Sequence, residues 1–103
     1  MKRAKIFVNG ILAGELLEEE RGRLYRFIYL ENYSGPSVSL EMPTNQSVYL
    51  YDRFPPFFEG LLPEGMMLEG LLRQTKIDRS DYLDQLIAVG EDLVGNVTVE
   101  ASE

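Results

Sequence analysis

Apolar and polar positions alternate along the first forty residues of this chain, and then the period lengthens. In KIFVNGILAGELL two apolar runs flank Asn9-Gly10, a dipeptide whose tolerance of positive φ suits a two-residue hairpin turn. Glu18, Glu19, Glu20, Arg21 and Gly22 predict a second, charged turn. RLYRFIYL (23–30) follows, rich in residues that fit a pleated surface. Its alternation puts Tyr25, Phe27 and Tyr29 on one face, and Leu24, Arg26, Ile28 and Leu30 on the other. Val38, Leu40 and Met42 alternate with Ser39 and Glu41 and predict a half-buried strand. Together these runs predict a four-stranded antiparallel meander over residues 4–42.

Residues 43–53 are polar and read as turn, and Pro55-Pro56 cannot lie in a strand interior. Phe54, Phe57, Phe58, Leu61 and Leu62 then recur at helical spacing. Pro63 ends that segment and suits the first turn of a new helix over residues 64–75. Ser80 is the expected N-cap of a further helix carrying Tyr82, Leu83, Leu86 and Ile87, with Asp81 and Asp84 near its positive end. Gly90 falls where a terminating glycine belongs, and GNVTVE (95–100) predicts a last strand rejoining the sheet. The expected class is α+β: an antiparallel sheet of four to five strands with two to three helices packed on one side. One domain is expected over residues 1–103.

The balance of 17 acidic against 10 basic residues, a formal charge of −7, argues against direct contact with nucleic acid or an anionic membrane. It suits a partner with a basic surface. With neither cysteine nor histidine, the chain lacks thiolate sites, the usual general base and the commonest metal ligand. No cofactor or metal is expected. The apolar run in MKRAKIFVNG is too short for a signal or membrane segment, so a cytoplasmic location is expected.

Glu59, Glu64 and Glu69 flank the apolar stretch and could be imagined as a hydrolase pair, Glu59 with Glu64. That chemistry requires burial that separates the two carboxylates, and a solvated face is the simpler reading. Asp78, Asp81 and Asp84 lack the spacing and central glycine of a calcium loop. VNGILAG matches neither a dinucleotide nor a P-loop pattern. The Tyr25, Phe27 and Tyr29 face could stack bases, but core packing fits the acidic charge better. FFEGLLPEGMMLEGLL (57–72) has the better claim to be an interface. Its Leu61, Leu62, Leu68, Leu71 and Leu72 are expected in the core, where Leu71→Asp would unfold the chain. Adjacent Met66 and Met67 cannot point the same way from a helix, so one must face outward.

VNG…AGEL, VSLEMP, FFEGLLPEG and LIAVGEDLVGNVTV, in that order, resemble the N-terminal subdomain of HipA-type serine/threonine kinases across essentially the whole chain. FFEGLLPEG and GEDLVGNVTV are the specific parts. In full-length members a kinase core follows; no kinase motif occurs up to Glu103. A free-standing version is similar to the HipS-type antitoxin of tripartite HipBST toxin–antitoxin systems. The resemblance implies a protein that binds and inhibits a HipA-like (HipT) kinase toxin lacking its own N-terminal subdomain, while a HipB-like helix-turn-helix protein in the same complex contacts the operator. It implies no catalysis by this chain. Relatives often carry tryptophan directly after LPEG, where this chain has Met66.

The expected partner-binding residues are Pro63, Glu64, Gly65, Met66 and Met67, with the turn lying near the kinase cleft. The alternative is an excised or remnant subdomain of a longer HipA-type kinase with no regulatory action of its own. An in-frame kinase core downstream would mark that case; a separate kinase gene would mark an antitoxin.

Overall fold

The computed structural model describes residues 2–93 and 95–102. Strands β1 (Lys2–Val8), β2 (Ile11–Glu20), β3 (Leu24–Tyr29), β4 (Val48–Tyr51) and β5 (Val97–Ala101) form one antiparallel sheet in the order β4-β3-β2-β1-β5. Helices α1 (Pro56–Glu59), α2 (Gly65–Thr75) and α3 (Tyr82–Ala88) lie between β4 and β5 in sequence. The β1–β2 hairpin turns at Asn9 (φ 52°) and Gly10 (φ 81°), the positive-φ pair its dipeptide predicts. The charged second turn is tighter than expected, because β2 runs through Glu20 and Gly22 (φ 71°) makes the reversal.

Register sets the core. Ala4 pairs with Leu16 and Leu16 with Phe27, while Ile6 pairs with both Gly14 and Val99, so one face of the sheet is apolar from edge to edge. That face is closed by Phe54, Phe58, Leu83 and Leu86, all buried with it in one cluster. Phe27 meets Phe58 at 6.1 Å between ring centroids, and Tyr25 meets Phe54 edge-on at 5.4 Å. The aromatic face of β3 is therefore core. The opposite face is left to solvent and to charge pairs such as Arg26 with Glu19, at 2.6 Å.

Two glycines are dictated by closeness. A Cβ on Gly14 would lie 2.2 Å from the Ile28 carbonyl oxygen, and one on Gly90 would lie 2.0 Å from that of Val99. Gly90 ends the α3 region as expected, but for contact with β5 and not for a left-handed backbone. Its carbonyl accepts the Val99 N–H at 3.0 Å.

Three expectations are corrected. The fourth strand is not 38–42 but Val48–Tyr51, inside the segment read as turn. Val38 and Met42 are buried as their alternation implies, yet from a loop, with Leu40 between them 99% exposed. The Tyr29 hydroxyl pins that loop by accepting the Val38 N–H at 2.9 Å and donating to the Met42 carbonyl. Second, the N-cap of α3 is Asp81, not Ser80, and its carboxylate pairs with Arg21 at 3.2 Å instead of capping. Third, Leu61 and Leu62 pack partly buried on the core, but Leu68, Leu71 and Leu72 are only half-buried and stand outside it.

Buried phenols give the fold a calculable response to alkali. The Tyr25 hydroxyl donates to the Glu18 carboxylate at 2.9 Å, and burial, then that bond, push it well above the ordinary phenol range. Tyr29, Tyr33 and Tyr51 are raised as well, each chiefly by burial. A phenol with a raised folded pKa keeps its proton while the unfolded chain loses it, so stability is complete below pH ~10 and declines above it. Lys2 acts in the same sense, because its hydrogen bond to Asp84 raises it and that contribution also fades in alkali. The urea midpoint is expected to hold from about pH 7 to 9, then fall from about pH 10, less steeply in Tyr25→Phe. An unchanged midpoint at about pH 11 would contradict this account.

Candidate functional site

The chain leaves α1 through a compact turn. Gly60 N–H donates to Pro56 O at 3.0 Å, Leu61 N–H to Phe58 O and Leu62 N–H to Glu59 O, both at 3.1 Å. Phe58, fully buried, anchors the start of this turn. Pro63 follows, Glu64 is extended, and α2 begins at Gly65 with φ 59°. A left-handed residue costs an ordinary side chain roughly 1–2 kcal/mol, which explains glycine there. The helix ends at Lys76, itself left-handed, whose N–H reaches Leu72 O at 3.0 Å.

An amphipathic helix normally draws its stability from burying one face. Helix α2 buries no residue fully. Leu68, Leu71 and Leu72 make a stripe at i, i+3 and i+4, only half covered, while Met66 is 90% and Met67 76% exposed. Both methionines therefore face outward, beyond the one that helical geometry requires. Among the described residues, the Glu69–Arg79 ion pair, 2.8 Å long, tethers α2 to later chain. It holds the Glu69 carboxyl below the usual carboxylate range.

Two shallow grooves meet at Pro63. One, about 350 Å³, is lined by Leu61, Pro63, Met67, Val89, Asp92 and Leu93. The other, about 150 Å³, includes Leu62, Pro63, Leu68, Glu59 and Glu64. The structure thus brings together Pro63, Glu64 and Met67 at one apolar ridge, with Gly65 and Met66 exposed beside it. Glu59 and Glu64 do share a groove, as the hydrolase reading requires, but both are solvent-exposed. Of the three aspartates, Asp78 and Asp81 pair with Arg21, at 3.8 and 3.2 Å, and Asp84 pairs with Lys2 at 2.7 Å. Among the described residues, no group of three or more acids could hold a metal ion. No helix among them is long and apolar enough to cross a membrane.

The second wall, Val89 to Leu93, escaped the sequence reading as a site. GEDLVGNVTV was singled out for its order in the chain, and its signal was an apolar residue on each side of a glycine–acid–acid turn. Gln85 was missed too. It is buried in α3, and its amide donates to Asp78 O at 3.1 Å and Arg79 O at 2.9 Å, fixing the α2–α3 connection.

An antiparallel five-stranded sheet, three helices and an apolar turn left open define the class: an α+β fold with an exposed apolar helix start. The chain belongs to the HipA N-terminal domain family, whose profile matches residues 4–100. An uncharacterized protein of Haemophilus influenzae (strain ATCC 51907 / DSM 11121 / KW20 / Rd) is 33% identical over 100 residues, spanning 97% of this chain and 92% of its own length. The solved N-terminal domain of HipA toxin matches with a TM-score of 0.77 at 31% identity, over 100% of this chain and 94% of that one.

Proposed function

We propose that this chain is an antitoxin that binds, without covalent attachment, a HipA-like (HipT) kinase lacking its own N-terminal domain, and holds it inactive. The observation that carries the reading is helix α2, whose first turn projects Met66 and Met67 into solvent while burying no residue fully. Large exposed apolar groups cluster where a second protein covers them. Methionine adapts its shape to such a surface. Pro63, Glu64, Gly65, Met66 and Met67 form the contact in this reading. The net charge of −7 fits a basic partner face, and leaves operator contact to a HipB-like helix-turn-helix protein in the same complex. The complex would act in the cytoplasm, and this chain would contribute binding, not chemistry.

The test is co-expression with a HipA-like kinase that lacks the domain, followed by purification through a tag on the kinase. A stable complex, relief of growth arrest and loss of phosphate transfer from ATP are expected. Undiminished arrest with no co-purifying chain would end the proposal.

A further inference from the structure

We propose that the groove between the 61–67 turn and the 89–93 loop is a docking site for one apolar side chain flanked by lysine or arginine on the partner. The identity of the partner rests on the kinase-binding reading; the chemistry of the groove does not. Its walls are Leu61, Pro63, Val89 and Leu93, with Met67 along one side. About 350 Å³ is room for a leucine- or phenylalanine-sized anchor. The charged group on this wall is Asp92, and the neighbouring groove across Pro63 adds Glu59 and Glu64. Neither groove is lined by a lysine or arginine among the described residues. Arg79, the cation paired to α2, is occupied by Glu69. An apolar cleft with acids along its edges repels an acidic approach and selects a basic one.

The recognition also gives exposed Met67 a partner. An anchor seated in the groove would lie against Met67 and cover part of the exposed first turn of the helix. Pro63 separates the two concavities and holds the wall between them, since its ring restricts the backbone at the bottom of the ridge.

The site can be probed without the kinase. Methionine methyl groups labelled with ¹³C report on Met67 at the groove, Met66 beside it and Met42 in the core as an internal control. The probes are acetyl-Arg-Leu-Phe-Arg-amide, its Glu-flanked counterpart, and an Ala-Ala version of the Arg-flanked peptide. The Arg-flanked apolar peptide is expected to shift the Met67 signal saturably, at least about tenfold more tightly than either control, with Met42 unmoved. Asp92→Lys is expected to abolish that preference while leaving the circular dichroism spectrum intact. Equal shifts from all three peptides, no shift at Met67, or a preference unaffected by Asp92→Lys would overturn the proposal.

The kinase arm separates this from the reading it deepens. If the chain captures the kinase and Asp92→Lys captures it equally well, the groove proposal falls and the antitoxin reading stands. If the Arg-flanked peptide binds as expected but the kinase is not captured, the antitoxin reading falls and the groove keeps its assigned chemistry.

Discussion

Phe58→Ala is expected to remove a large share of the stability of this chain. Phe58 is fully buried, tilts against Phe27 and meets Phe57 edge-on at 5.2 Å, so its ring fills the space between α1 and the centre of the sheet. Helix α1 has only four residues and cannot persist on its own hydrogen bonds. Deleting a buried phenylalanine ring costs about 3–5 kcal/mol, transfer and cavity together. A domain of this size holds only about 5–15 kcal/mol in all. Urea denaturation followed by circular dichroism should therefore find a midpoint far below that of the unaltered protein. Leu71→Ala is the informative contrast. The leucine is half-buried on a helix that stands outside the core, so a loss under about 1 kcal/mol is expected. Leu71→Asp should fray α2 and leave the sheet intact, not unfold the chain as the leucine pattern alone suggests. If the two leucine variants unfold the protein and Phe58→Ala does not, the division between core and ridge is wrong.

That division marks what the sequence can and cannot carry. The β1–β2 hairpin was legible because Asn9-Gly10 is a local instruction, satisfied by backbone geometry without reference to anything distant. The aromatic face of β3 was legible because a period of two with Tyr and Phe has few other solutions. Val38, Leu40 and Met42 show where such reasoning fails. Alternation reports which side chains want burial, and a loop nailed down by the Tyr29 hydroxyl buries the same two as a strand would. The real edge strand, VYLY, is four residues long and follows a polar run, so nothing in its neighbourhood announced it.

The leucines of α2 fail for a different reason. A stripe at i, i+3 and i+4 records that a face seeks cover, but not whose atoms supply it. Within a single chain the default is the chain's own core, and that default placed Leu68, Leu71 and Leu72 there. Met66 and Met67 were the corrective signal, since two adjacent large apolar groups at a helix start cannot share one interior. The groove wall at Val89 and Leu93 had no such signal, because its partner residues Leu61 and Met67 lie more than twenty positions earlier and meet it only through the tertiary fold.

Met66→Asp is expected to abolish capture and inhibition of the kinase while leaving the fold unchanged. At 90% exposure the side chain contributes little to the free chain, so the denaturation midpoint should match that of the unaltered protein. In a complex the same position would be withdrawn from water, and an unpaired carboxylate there carries a desolvation penalty that a methionine does not. Central apolar anchors at interfaces contribute about 2 kcal/mol or more, so affinity should weaken by at least about thirtyfold. Met66→Trp supplies the opposite sign: a rigid aromatic at this position should hold or tighten the complex, because fewer rotamers are frozen on binding. Calorimetric titration of the kinase with the three proteins reads the affinities, and phosphate transfer read in parallel tests inhibition. Aspartate binding as tightly as methionine, with the fold intact, would move the contact away from the start of α2. Tryptophan binding more weakly than methionine would mean that the kinase surface opposite this turn is shaped for the flexible side chain the protein already has.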